Sequence, residues 1–378
     1  MKATWDIFCD VVDNYGDIGV TWRLARQLAS EHALQVRLWV NDMRAFVRLC
    51  PAAVADAAVQ SHAGVEVHAW SARWQPVDVA DVVIGAFACQ LPDAYVADMA
   101  AQPRPPLWLN LDYLSAEGWV EGCHGLPSPQ ANGLRKVFFF PGFTPRTGGL
   151  LRERQLLDER AAFMSPHNDA RAAFLAGLRI DPVPGARLLS LFAYENPALG
   201  EWLDALASDA RPMHLLVPHG RILGDVQAWL HCEALEAGDV HRRGSLTVQV
   251  LPFVAQPDYD RLLWCCDFNA VRGEDSFVRA QWAARPMLWH IYVQEEYAHW
   301  EKLEAFLDLY TADLPAETAA ALRDFWRAWN QAQAVGPAWQ ALGRHWPVLD
   351  RHAAQWCAKQ AAQPDLATTL VQLYRNWL

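Results

Sequence analysis

Two short polar stretches concentrate the side chains that can do chemistry. The first is Asp10 to Gly19, which reads Asp-Val-Val-Asp-Asn-Tyr-Gly-Asp-Ile-Gly. The second is Arg272-Gly-Glu-Asp-Ser276, lying between an apolar run (Cys266 to Val271) and a segment of helical character (Phe277 to Ala284). In a parallel sheet such a strand-to-helix turn lies at the carboxyl edge, where ligands bind. Asp275 or Ser276 can cap the helix, and the free N–H groups of its first turn favour an anion. Arg272 adds a fixed positive charge, and Glu274 is a carboxylate within reach of a ligand hydroxyl. Hydroxyls for the acid and phosphates for the arginine and helix end describe a sugar diphosphate. A capped helix with a surface ion pair is the plainer reading of the same residues.

The first stretch has the opposite charge. Asp10, Asp13 and Asp17 crowd the end of an apolar strand, and Gly16 and Gly19 let the backbone bend there. No G-x-G-x-x-G fingerprint is present, so the turn is not a dinucleotide site. Three acids repel a diphosphate and suit a cationic or hydroxyl-bearing acceptor, which they can orient and partly deprotonate. Helix capping by one of them is the alternative.

Two aromatic groups end strands of the second half. Phe192, Tyr194 and Glu195 follow one strand, and Phe253, Gln256 and Tyr259 follow another. Rings at successive strand ends can stack a nucleobase, or simply pack between elements, which is the preferred reading for Tyr259. His219, in Pro218-His-Gly-Arg221, is a loop histidine to which no role is given.

The elements needed to place these residues can be read along the chain. Strands are expected at Thr4–Val12, Val36–Val40, Val65–Trp70, Val79–Phe87, Leu107–Leu111 and Lys136–Phe140, with helices at Val20–Ala29 and Asp42–Leu49. After a linker at Asp181–Gly185 a second series follows, with strands at Leu188–Ala193, Met213–Val217, Leu246–Leu251, Asp267–Val271 and Met287–Ile291. From Glu295 the pattern is helical to the end. Two α/β halves with a βα rhythm and a helical tail that crosses back onto the first half describe the GT-B glycosyltransferase fold, two Rossmann-like domains facing each other. The expected domains are 1–184 and 185–361, with 362–378 returning to the first.

Bulk properties narrow the function classes. A chain of 378 residues is long for a single core. Its net charge of −11 argues against binding nucleic acid or anionic membrane surfaces. Eight scattered cysteines contain no C-x-x-C pair, so zinc spacing is absent and a reduced, cytoplasmic protein is expected. No signal-peptide core and no run near the roughly 20 apolar residues of a membrane span occur. The nineteen tryptophans, among them Trp326, Trp329, Trp339, Trp346 and Trp356, read as core.

With Asp13-Asn-Tyr-Gly-Asp-Ile-Gly-Val20 at one end and Arg272-Gly-Glu-Asp-Ser-Phe-Val-Arg-Ala-Gln-Trp282 at the other, the chain resembles the EarP family of bacterial protein-arginine rhamnosyltransferases. The likeness extends over essentially the whole chain and includes Phe192-Ala-Tyr194 and Pro252-Phe253. It implies a GT-B fold, no cofactor or metal, and inverting transfer of rhamnose from dTDP-β-L-rhamnose. The implied acceptor is an arginine on the N-terminal KOW-like domain of translation elongation factor P, which the sugar activates for rescue of ribosomes stalled on proline runs. It further implies that Asp13, Asp17 and Glu274 are catalytic. Phe192 and Phe253 would hold the thymine, and Tyr194, Arg272, Gly273, Asp275 and Ser276 the diphosphate or sugar. Gln256 would lie near the nucleoside, and Tyr15 and Gly16 complete the donor contacts. The alternatives are a GT-B transferase with another nucleotide sugar and a small acceptor, and a non-catalytic binder of the elongation factor.

Overall fold

The computed structural model describes residues 2–11, 15–70, 74–293 and 298–378. Asp13, one of the acids singled out above, lies outside the described residues. The chain divides into two units, Met1–Arg154 with Gln360–Leu378, and Gln155–Lys359. The expectation from sequence put the first division at 184/185; residues 155–184 go with the second unit, where Phe163 packs edge-on against Trp264 at 5.6 Å.

The first unit opens with β1 (Thr4–Cys9), α1 (Gly16–Glu31), β2 (Gln35–Val40), α2 (Met43–Leu49), β3 (Val59–His62) and β4 (Val65–Ala69). It continues with β5 (Val82–Ala86), α3 (Asp93–Ala101), β6 (Leu107–Leu111), α4 (Val120–Cys123), β7 (Pro127–Pro129) and β8 (Arg135–Phe139). Among the described residues its sheet runs β3-β4-β2-β1-β5-β6-β8-β7. The six inner strands are parallel, and the short edge strands β3 and β7 are antiparallel. β1 is central, so its side chains are buried on both faces. That includes Asp6, which accepts two hydrogen bonds from Arg37 (2.6 and 2.7 Å) and one from the Tyr95 hydroxyl. A buried carboxylate needs such partners to stay in a core.

The second unit holds α5 (Leu156–Phe163), α6 (Ala170–Gly177), β9 (Arg187–Leu191), α7 (Leu199–Ala207), β10 (Met213–Pro218), α8 (Leu223–Leu230), β11 (Val240–Arg243) and β12 (Leu246–Leu251). Then come α9 (Gln256–Cys265), β13 (Phe268–Arg272), α10 (Asp275–Ala283) and β14 (Met287–His290). Its sheet runs β11-β12-β10-β9-β13-β14, parallel except for the β11 edge. Four helices complete it: α11 (Ala298–Thr311), α12 (Ala316–Gln331), α13 (Val335–Gly343) and α14 (Trp346–Ala361). On α12 the buried Leu322, Phe325, Trp326 and Trp329 recur at helical spacing and form one face. Trp202 of α7 meets Trp329 and Trp339 edge-on at 5.3 and 5.6 Å. The five tryptophans named from the sequence are all buried, as expected of core residues.

The last helix, α15 (Leu366–Trp377), belongs to the first unit. Tyr374 sets its ring edge-on to Trp5 of β1 at 5.7 Å, and the Leu366 N–H bonds the Leu150 carbonyl. Gly149 makes this approach possible. It has a positive φ, and a Cβ there would stand 2.4 Å from the Pro364 carbonyl oxygen.

Candidate active site

Two strand-to-helix corners carry the residues expected to act. In the first unit β1 ends at Cys9 and α1 begins at Gly16, four residues earlier than the helix start at Val20 expected from the sequence. Glycine is a poor helix former, yet Ile18, Val20, Trp22, Leu24 and Leu28 are all buried, and tertiary packing overrides the local cost. Asp17 therefore sits in the first turn of α1, beside the positive end of the helix dipole, with 3% of its surface exposed. Tyr15 occupies the N-cap position without a capping side chain, and its carbonyl accepts from the Gly19 N–H at 2.9 Å. Thr21 donates its hydroxyl to the Asp17 carbonyl (2.9 Å).

Asp10 leaves the end of β1 exposed, and Asn41, past the end of β2, fastens it. The Asn41 amide donates to the Asp10 carboxylate, and its carbonyl oxygen accepts the Val11 N–H at 2.9 Å. This clamp ties down the stretch that leads into the acidic turn. The neighbouring thiol of Cys9 is buried, and burial pushes its ionisation far above the ordinary range, so it is inert packing.

In the second unit Arg272 is the last residue of β13 and only 7% exposed. Its guanidinium lies between two rings, 4.7 Å from the centroid of Phe192 and 4.7 Å from that of Tyr194. Arginine suits such a sandwich because its flat, weakly hydrated head stacks on aromatic faces. Its Nη1 is buried and has no hydrogen-bond partner among the described residues. Gly273 then turns the chain with φ +60°, and its carbonyl accepts from the Trp289 indole at 2.8 Å.

Here the structure corrects the expected cap. Glu274 holds the N-cap position of α10, with no side-chain capping bond. Ser276 instead folds back on Arg272, accepting its N–H at 3.2 Å and donating to its carbonyl. The Ser276 hydroxyl thus closes the corner on itself, beside the positive end of the α10 dipole. Gln256, at the start of α9, donates to the Asp275 carboxylate at 3.2 Å, which joins two of the expected donor residues. Below the corner, Arg279 of α10 and Asp260 of α9 form a bidentate ion pair (2.9 and 2.7 Å), both nearly inaccessible. Tyr259 meets Phe192 edge-on at 5.7 Å, the packing role expected of it.

The sequence reading overlooked His290. It ends β14 directly opposite Arg272 in the strand register, and its ring stands edge-on to Tyr194 at 5.3 Å. It is 8% exposed, its Nδ1 has no hydrogen-bond partner among the described residues, and burial, then Arg272, push its pKa down to about 3, so the ring is neutral. A histidine closing the strand next to that of Arg272 is the signal that would have found it.

Among the described residues no cluster of three metal-ligating side chains occurs, and no helix is long and apolar enough to cross a membrane.

Residues 5–375 match the family model described as elongation factor P (EF-P) rhamnosyltransferase EarP. A protein-arginine rhamnosyltransferase of Pseudomonas putida is 68% identical over the full length of both chains. A solved structure described as the basis for EarP-mediated arginine glycosylation of elongation factor EF-P is 51% identical, covers both chains fully and superposes with a TM-score of 0.73. A glycosyltransferase of Rickettsia africae is only 10% identical but covers 99% of this chain and 98% of its own with a TM-score of 0.51, a likeness of fold alone.

Proposed function

The chain belongs to the EarP family of elongation factor P rhamnosyltransferases, and on that premise we propose that it moves L-rhamnose from dTDP-β-L-rhamnose to an arginine side chain of elongation factor P, with inversion. The fold is the two-unit GT-B glycosyltransferase architecture. The observation that carries the reading is the β13–α10 corner, where a buried guanidinium between two rings stands beside a helix N-terminus.

The donor nucleotide occupies that corner. Phe192 and Phe253 hold the thymine. Arg272, the N–H groups after Gly273, Ser276 and Tyr194 hold the diphosphate, with Asp275 and Gln256 around the sugar and nucleoside. As the glycosidic bond breaks, negative charge grows on the departing diphosphate. Fixed donors aimed at that charge each contribute on the order of 10²–10³ in rate. They need no reorganisation at the moment of reaction.

The acceptor presents the harder problem. A guanidinium stays protonated, with a pKa above about 12, and its lone pairs are delocalised, so it is a poor nucleophile. Asp13 and Asp17 grip it and aim one nitrogen at the anomeric carbon. Asp17 takes the proton as the new C–N bond forms, while Asp13 orients. Glu274 either holds sugar hydroxyls or helps polarise the guanidinium. Tyr15 and Gly16 complete the donor contacts. The site of action is the cytoplasm, where translation factors work, and the acceptor is met through its N-terminal KOW-like domain.

The test is dTDP release from purified protein given a panel of nucleotide sugars, with and without elongation factor P. Consumption of dTDP-rhamnose that requires the factor supports the reading. Consumption of a different sugar nucleotide with a small acceptor replaces it with the alternative transferase, and no turnover with any donor leaves a binding protein.

A further inference from the structure

The β13–α10 corner offers a departing nucleoside diphosphate one buried guanidinium and the partial charge of about +0.5 at a helix end. That is less than the charge the leaving group carries, and a second cation stands at the same ring. The Arg221 guanidinium lies 5.6 Å from the centroid of Tyr194, the ring that Arg272 contacts at 4.7 Å. Arg221 comes from the loop between β10 and α8, and that loop is seated on the donor site. Its Gly220 lies so near Phe192 that a Cβ would stand 3.2 Å from the ring.

In the present state Arg221 is engaged by Glu195, the residue after Tyr194. The pair is two-pronged, Nε to Oε1 at 2.9 Å and Nη2 to Oε2 at 2.9 Å. Its partners are 45% and 52% exposed. An exposed ion pair contributes little net stability, so it is cheap to exchange. A phosphate offers the same planar pair of oxygens to the guanidinium and more charge. His290, the neighbouring ring that faces Arg272, Arg221 and Glu195, is neutral and leaves the positive charge to the two arginines.

We propose that Arg221 is a second cationic contact for the departing nucleoside diphosphate, and that Glu195 holds it in reserve until the donor arrives. This rests on the donor reading above. On donor binding the guanidinium leaves the Glu195 carboxylate for a phosphate oxygen. Glu195 is then a competitor of the donor, so the two residues act on affinity in opposite directions.

The experiment is calorimetric titration of the full chain with dTDP, using wild type, Arg221→Ala, Arg221→Lys and Glu195→Gln, with melting curves to confirm folding. Arg221→Ala is expected to weaken dTDP binding about tenfold, the loss of one charge-assisted contact. Arg221→Lys should recover part of that loss, because a point charge remains. Glu195→Gln should tighten binding a few-fold, an effect that a purely structural ion pair does not produce. Equal affinities in all four proteins would overturn the proposal while leaving the donor site in place. Equal weakening by Arg221→Ala and Glu195→Gln would also overturn it and make the pair a brace. A wild-type chain with no affinity for dTDP would overturn the donor reading itself, and the proposal with it.

Discussion

The β1–α1 corner of the first unit and the β13–α10 corner of the second use the same backbone device for opposite charges. Each ends a parallel strand buried on both faces and starts a helix whose N-cap position carries no side-chain capping bond. At the first, the acid Asp17 lies in the opening turn of the helix, and Asp10 is held by Asn41. At the second, an arginine ends the strand, packed between rings and locked by Ser276. The second corner stands on a buried ion pair between its two helices, Arg279 with Asp260, whereas the first has its pair in the sheet, the buried Asp6 of β1 with Arg37 of β2. The lesson is a division of labour. On the proposed function, one corner grips a cation and receives a proton, and the other holds an anion.

The comparison breaks most visibly if its chemical halves can be exchanged. Asp17→Asn should lower the rate of transfer by about 10²–10⁴, the usual range for a lost general base, and leave dTDP affinity unchanged. Single-turnover kinetics beside calorimetry reads both, and undiminished transfer would remove Asp17 from the role.

The foundations can be tested separately. Arg279→Ala strips the buried Asp260 of its bidentate arginine and should cost about 3–5 kcal/mol of stability in urea unfolding. A loss below about 1 kcal/mol would show that the second corner does not stand on that pair.

A finer cut is Arg272→Lys. Charge is kept but the flat head between Phe192 and Tyr194 is lost, so donor affinity should fall about tenfold, as for about 1–2 kcal/mol of stacking and bidentate bonding. Full retention would reduce Arg272 to a point charge.

The smallest effect concerns pH. Unfolded, His290 takes up a proton near its ordinary value of 6.5; folded, it does so only near 3. The unfolded state therefore binds more protons between those values. The stability this residue contributes is complete above about pH 6.5 and drains away as pH falls toward 3. His290→Gln should flatten the fall in Tm between pH 7 and 5, and an unchanged slope would place the pH dependence elsewhere, for example in the buried His214 or His352, which burial also shifts downward.

Much of this could be read from the sequence because the central strands are continuous apolar runs. Leu107–Leu111 and Leu246–Leu251 form where the pattern puts them. The edge strands β3, β7 and β11 escape such a reading, since a short antiparallel edge is half solvated and shows no apolar run. The start of α1 is misread because Gly16 and Gly19 signal a turn locally, while burial of Ile18 and Trp22 decides for helix. Ser276 follows the local capping rule in sequence, but in the structure its hydroxyl closes on Arg272. The grouping of Arg272 with Phe192, Tyr194, Arg221 and His290 joins residues far apart in the chain, and only the sheet register brings them together.

The most direct measurement is the intact mass of elongation factor P after incubation with this protein and dTDP-β-L-rhamnose, followed by peptide mapping. The account predicts a gain of one deoxyhexose on a single arginine, absent with Asp17→Asn. An unchanged mass with wild-type protein that binds dTDP, or a sugar on any residue other than arginine, would contradict it.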